Sequence, residues 1–152
     1  MGDFFGSIYC WFEDFFGLDL ADYIWGNSSP LSDHNSFIGI GFTMFSISLL
    51  MVLIYYYVVN HPLLNNWWGW GIFLVINAII NFIAGWQWVL KDYYDGKMVT
   101  IDPSTNLQIP LNIGESEIIY FGISNMILSI IAFVFFSFIL KWWSRSCSSA
   151  PL

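Results

Sequence analysis

The chain has 152 residues, of which 57% are hydrophobic, 21% are aromatic and only 10% are charged. Soluble domains carry about 25% charged residues, so this composition excludes a soluble globular domain, and it also excludes a disordered or disulfide-scaffold chain. Eleven acidic residues outnumber four basic ones, which leaves no basic surface for a nucleic acid. The composition therefore predicts an integral membrane protein that contacts membrane lipid.

The N-terminal segment, residues 1–36, has no signal-peptide pattern. Over residues 3–16, apolar side chains recur at helical spacing on one broad face, and acidic side chains occupy the other. This pattern predicts an amphipathic helix that lies in the membrane interface, with Phe12 and Phe16 among its anchors. The alternative is a collar that packs on neighbouring subunits or on a partner protein.

Three uncharged runs follow, at residues 37–59, 67–90 and 118–140. Each exceeds the roughly 20 residues that an α-helix needs to cross a bilayer. The sequence therefore predicts an all-α fold with a three-helix transmembrane domain over residues 37–140 and a short C-terminal tail over residues 141–152.

The loop at residues 91–117 contains two short β-type runs, at 98–101 and 107–109, on either side of a turn-rich stretch. This arrangement predicts a small β-hairpin between the second and third spans. Because an isolated hairpin is marginally stable in water, we expect it to dock on the N-terminal helix, a second protomer or a partner.

Each span carries small or polar residues at helical spacing. The candidates for a helix interface or a pore lining are Gly39, Thr43, Asn77, Asn81, Asn125 and Ser129. Small residues let helices approach closely, and asparagine amides in hydrocarbon seek partners on a neighbouring helix. Two interpretations remain open: a seam within a helix bundle, or the lining of a water path or an oligomeric contact.

Tryptophans cluster near the predicted ends of the spans. The candidate interfacial anchors among them are Trp67, Trp68, Trp70, Trp142 and Trp143. Amphipathic rings favour the headgroup level of the bilayer, which makes membrane anchoring their expected role.

Charge distribution suggests an orientation. Two of the four basic residues lie on each predicted side, so the positive-inside rule gives no decision. All eleven carboxylates, however, lie on the side of the N-terminus. We therefore expect the N-terminus outside and the C-terminus in the cytoplasm.

No pattern for catalysis or cofactor binding is present. The spans contain no charged residue or histidine, unlike most proton-coupled transporters. His34 and His61 fall on opposite predicted sides, as do Cys10 and Cys147, so neither pair can build a metal site or a disulfide within one chain. The sequence predicts a non-enzyme without cofactor or small-molecule substrate.

Three stretches carry a resemblance to known proteins. They are residues 55–62 (YYYVVNHP) running into 67–70 (WWGW), residues 77–82 (NAIINF), and residues 141–147 (KWWSRSC). Together they resemble small three-span membrane proteins of Bacteroidota-type bacteria, a group with no assigned activity. The resemblance implies a bacterial inner membrane and identifies no functional residue.

Two classes of function are consistent with these features. The first is a non-catalytic structural subunit of a larger membrane assembly of the secretion, injection or envelope-spanning type. The second is a homo-oligomeric channel or pore, including a holin-like or phage-defence pore-forming effector. In the second class the asparagine stripe would line the pore, and the acidic residues would attract cations to its mouth.

Overall fold

The computed structural model describes residues 2–27, 35–58, 67–102 and 107–143. Within these ranges the chain is mostly helical, and it contains one small two-stranded antiparallel sheet. Three helices are long and apolar enough to cross a membrane: Ser36–Val58, Trp67–Tyr94 and Glu115–Lys141. The predicted three spans are confirmed, and they indicate an integral membrane protein.

The first span consists of α4 (Ser36–Leu53), which continues as a π-helical turn (Ile54–Val58). It begins where the side-chain oxygen of Asn35 accepts a hydrogen bond from the Phe37 N–H at 3.0 Å. This cap satisfies one of the backbone donors that a helix start leaves without an internal partner.

The other two spans are longer than predicted. Helix α5 (Trp67–Tyr94) runs past residue 90, because charged residues do not end a helix, and its chain turns only at Gly96, which has φ +67°. Helix α6 (Glu115–Trp143) starts before residue 118, since the carboxylates in its first turn favour the positive end of the helix dipole.

The N-terminal segment folds into short helical pieces rather than one helix. They are α1 (Gly2–Tyr9), a 3₁₀ turn (Cys10–Phe12), α2 (Glu13–Phe16) and α3 (Leu18–Trp25). Gly17, with φ +99°, lies between α2 and α3. An amphipathic helix in the membrane interface stays a prediction.

The predicted apolar face of this segment divides into two. Phe5, Tyr9 and Phe16 are buried against the spans, whereas Phe4 and Trp11 are exposed. Helix α1 packs on α4, and α2 packs on α6. The spans pack chiefly through α5 against α6, with α4 against both. The segment therefore forms part of the helix bundle's own packing.

The sheet pairs β1 (Val99–Ile101) with β2 (Gln108–Pro110), and Thr100 lies opposite Ile109. This confirms the predicted hairpin strands, while the turn at 103–106 lies outside the described residues. Met98 and Ile113, which flank the strands, belong to the same buried cluster as Leu20 of α3. The residues at the base of the hairpin thus pack on their own chain, whereas strand β2 is exposed.

Several sequence candidates lie outside the described residues. They are His34, His61, Cys147 and the side chains of Trp142 and Trp143. Their predicted roles stay predictions.

Candidate functional site: a buried amide network

Three asparagines form a hydrogen-bonded network between α5 and α6. The Asn125 side-chain amide donates to the backbone carbonyl oxygen of Asn81 at 2.6 Å, and the Asn77 side-chain amide donates to the backbone carbonyl oxygen of Ser129 at 3.2 Å. Within α5, the Asn81 amide donates to the backbone and side-chain oxygens of Asn77 at 3.0 and 3.1 Å. The exposed fraction is 0% for Asn77 and Asn81 and 1% for Asn125. Two of these bonds cross from one span to the other, so the network ties α5 to α6.

Tyr9 joins the N-terminal segment to this network. Its hydroxyl donates to the side-chain oxygen of Asn125 at 2.5 Å. Its ring stacks on Phe37 of α4 and on Phe121 of α6, with centroid separations of 5.1 and 5.6 Å. Burial raises the pKa of the Tyr9 phenol, so the hydroxyl stays neutral and acts as a donor. This side chain therefore connects α1 to α4 and α6 directly, and to α5 through Asn125.

Two glycines leave space for a side chain of a neighbouring helix. A Cβ added at Gly85 of α5 would lie 2.7 Å from the Asn125 amide nitrogen. A Cβ added at Gly41 of α4 would overlap the ring of Phe5. Since real Cβ atoms do not approach so closely, both contacts depend on the absence of a side chain.

Gly39 and Thr43 lie apart from the amide network. A Cβ added at Gly39 would lie 3.2 Å from the Trp88 ring of α5, so Gly39 marks a close approach of α4 and α5. The Thr43 hydroxyl donates to the Gly39 carbonyl oxygen at 2.9 Å, within its own helix. The structure therefore brings together four of the six candidate residues and leaves these two on another helix contact.

Among the described residues, the Ser48 hydroxyl oxygen and the Asn81 side-chain oxygen are buried without a hydrogen-bond partner. The Asn81 oxygen lies inside the network, where it leaves one acceptor unused. A buried acceptor without a hydrogen bond lowers the stability of the fold. The side-chain oxygen of Asn81 is therefore the weakest point of the network.

The aromatic candidates occupy different environments. Trp67 and Trp68 are exposed, as an anchor in the interface requires. Trp70 is half-buried and donates its indole N–H to the Ser137 hydroxyl at 3.3 Å. Phe16 is fully buried, and it meets Phe121 edge to face with centroids 5.3 Å apart. Phe12 is half-buried.

Charged groups gather at the end of the bundle where α6 begins. Glu13, Asp14, Asp19 and Glu117 line one shallow cleft. Beside the hairpin, Lys97 contacts the carboxylates of Asp92 and Asp95 at 2.9 and 3.0 Å. The hydrogen bonds to these carboxylates, that to Asp92 above all, raise the pKa of Lys97. No three of the described carboxylates, cysteines or histidines are placed to hold a metal ion.

Tyr23 of α3 lies near the same charges. Burial, followed by the negative charge of Asp92, raises the pKa of Tyr23 to about 12. This phenol therefore stays neutral under physiological conditions.

The Cys10 thiol is expected to react slowly with maleimide at neutral pH. Burial, then the hydrogen bond and charge of Glu13, raise the pKa of Cys10, and only the thiolate is the nucleophile. Since a raised pKa lowers the thiolate fraction at a given pH, the labelling rate should reach its midpoint at a higher pH than for a thiol placed at the exposed Leu107. Glu13→Gln should lower this midpoint. Equal midpoints for the two thiols would show that the pKa of Cys10 is not raised.

Sequence reasoning did not identify Tyr9 as a partner of the asparagines. The available signal was its hydroxyl, because a tyrosine on an apolar face needs a hydrogen-bond partner once it is buried. Gly41 gave no separate signal, since a glycine in an apolar span is common.

In comparisons with protein-family models, curated proteins and solved structures, none matches this chain. The functional conclusion therefore depends on the geometry. The network holds amides, hydroxyls and carbonyls, which bind helices to one another, and within the described residues it contains no acid, base or thiolate.

Proposed function

We propose that the chain is a non-catalytic structural subunit of a larger membrane assembly. The observation that carries the proposal is the use of the buried amides: they bind α5, α6 and Tyr9 of the same chain. Hydrogen bonds between helices in a membrane contribute only about 0.6 kcal/mol each on average, so their main effect is to fix the register of the helices. A fixed, compact bundle suits a subunit that presents a surface to partners.

The same observation bears on the alternative of a homo-oligomeric pore. Side chains that line an aqueous path have to face that path, whereas Asn77, Asn81 and Asn125 face the interior of one chain. The pore stays the second hypothesis, and its holin-like and phage-defence forms stay with it.

The placement in the cell belongs to this proposal. We propose a bacterial inner membrane, which the resemblance implies. We also propose that the N-terminus is outside and the C-terminus in the cytoplasm, an orientation supported by the grouping of all carboxylates on the N-terminal side. The N-terminal segment would then lie at the outer end of the bundle. Its acidic cleft would be the surface that a basic partner meets.

Reversing the charge of the cleft should release that partner. Asp14 and Asp19 are exposed, so Asp14→Lys with Asp19→Lys should leave the bundle folded while placing like charges against a basic surface. We expect the amount of partner co-purified in mild detergent to fall about tenfold or more, the change that about 1.4 kcal/mol produces.

The matched control is Asp14→Glu with Asp19→Glu, which keeps the charge and should keep the partner. Helix content measured by circular dichroism should be the same for both variants. Full retention of every co-purified protein by the lysine variant would argue against the acidic cleft as a partner surface.

A further inference from the structure

The contacts of α1 place it along the first span. Phe5 packs against Gly41, and its ring centroid lies 5.2 Å from that of Phe45. Tyr9, one helical turn later, stacks on Phe37. From Gly41 to Phe37, α4 rises by about 6 Å toward its N-terminal end, the same rise as from Phe5 to Tyr9 in α1. Helix α1 thus runs beside α4 from the level of Gly41 to the level of Phe37.

The rest of the segment continues in the same direction along α6. Phe16 meets Phe121, and a Cβ added at Gly17 would lie 3.2 Å from the Glu117 carboxylate. Phe37 and Phe121 are neighbours, with ring centroids 6.3 Å apart, and the Tyr9 ring stacks on both. Glu117 is about 6 Å further toward the start of α6. The segment from Phe5 to Gly17 therefore runs along the bundle axis instead of across its end.

The sequence of the segment matches the thickness of one leaflet. Residues 4–12 contain no charge, and Asp3 and Glu13 stand on either side of them. At about 1.5 Å per residue such a run covers about 13 Å, close to half of a hydrocarbon core of about 30 Å. Asp3 precedes the run at its deeper end. Because a carboxylate is disfavoured in hydrocarbon, its charge opposes the insertion that the ring contacts of α1 with α4 favour.

The outer side of the segment suits a lipid environment. Phe4 is 57% exposed and Trp11 is 81% exposed, on the side that faces away from the spans. Ser7, the polar residue between them, has an interaction within the chain. Gly41 and Phe37 belong to a membrane span, so the surface beside them at the same level faces acyl chains.

We propose that residues 2–16 form a re-entrant element that inserts into one leaflet beside α4 and α6 and binds lipid acyl chains through its outer aromatic side. The N-terminal end of α1 lies deepest, and α3 lies at the membrane surface. Gly41 and the Tyr9–Asn125 hydrogen bond hold the element in this position. The proposal is independent of the partner proposed above, because it concerns the single chain in a bilayer.

Spin-label depth measurements test this placement. The full chain, with Cys10→Ser and Cys147→Ser, is reconstituted in phosphatidylcholine vesicles with one nitroxide at Phe4→Cys, Trp11→Cys or Leu18→Cys. Collision with oxygen and with a water-soluble nickel chelate gives the depth of each label. We expect depth to decrease from residue 4 to 11 to 18, with about 10–20 Å between the first and last positions.

A reference label at Phe42→Cys on α4 should report a depth close to that of residue 4, because the Phe5 ring lies 5.3 Å from the Phe42 ring. Ser7→Cys replaces Phe4→Cys if the latter lowers the helix content. Equal, shallow depths at residues 4 and 18 would overturn the proposal in favour of a flat interfacial helix. Exclusion of both oxygen and nickel from residues 4 and 11 would overturn it in favour of a second copy covering the segment.

Discussion

Replacement of Tyr9 by alanine should lower the free energy of unfolding by about 3–5 kcal/mol, the usual cost of removing a large buried aromatic side chain. The ring fills the space between α4 and α6, where it stacks on Phe37 and Phe121. Its loss also leaves the Asn125 side-chain oxygen without its donor. Tyr9→Phe keeps the ring and should cost about 1 kcal/mol, the net contribution of one hydrogen bond.

The measurement is unfolding by sodium dodecyl sulfate in mixed micelles, followed by circular dichroism. Phe4→Ala is the matched control, because it removes an aromatic ring from the same helix at an exposed position and should change the free energy by less than about 0.5 kcal/mol. Equal losses for Tyr9→Ala and Phe4→Ala would show that Tyr9 does not hold the segment to the spans.

A methyl group at Gly85 should be the second costly change. Its Cβ would lie 2.7 Å from the Asn125 amide nitrogen and 3.0 Å from the Asn125 Cβ. Either α5 moves away from α6 or the Asn125 side chain leaves its hydrogen bonds with Asn81 and Tyr9. Overpacking of this kind costs about 1–3 kcal/mol, which we expect as the loss for Gly85→Ala.

Gly71→Ala provides the control on the same helix. A Cβ added at Gly71 meets no described atom within 4 Å, and alanine has the higher helix propensity. This variant should therefore be neutral or slightly stabilising. If both alanine variants unfolded at the same detergent fraction, the close approach of α5 and α6 at Gly85 would not be needed for the fold.

The spans and strands were predictable because their signals are local. Long uncharged runs predict a helix that crosses the membrane wherever they occur in a chain. The hairpin had β-type residues on both sides of a turn-rich stretch, which is also a local pattern. The exact ends of α5 and α6 were missed because helices continue beyond the hydrocarbon until a residue such as Gly96 turns the chain.

The candidate site was predictable only in part. Asn77, Asn81 and Asn125 were singled out by their helical spacing and their rarity in hydrocarbon. Tyr9 was not, because its hydrogen-bond partner lies 116 residues away in sequence, and no local pattern encodes that distance. The division of the N-terminal aromatic face also depends on tertiary packing, since Phe5 is buried by the space at Gly41.

The mass and composition of the complex extracted from its native membrane test the proposed function most directly. The chain is purified through an affinity tag in mild detergent, and the intact assembly is weighed by native mass spectrometry. We expect foreign proteins in fixed stoichiometry with this chain. A single species made of this chain alone would contradict the proposed function, particularly if its ion conductance were abolished when Asn77, Asn81 and Asn125 are replaced by leucine.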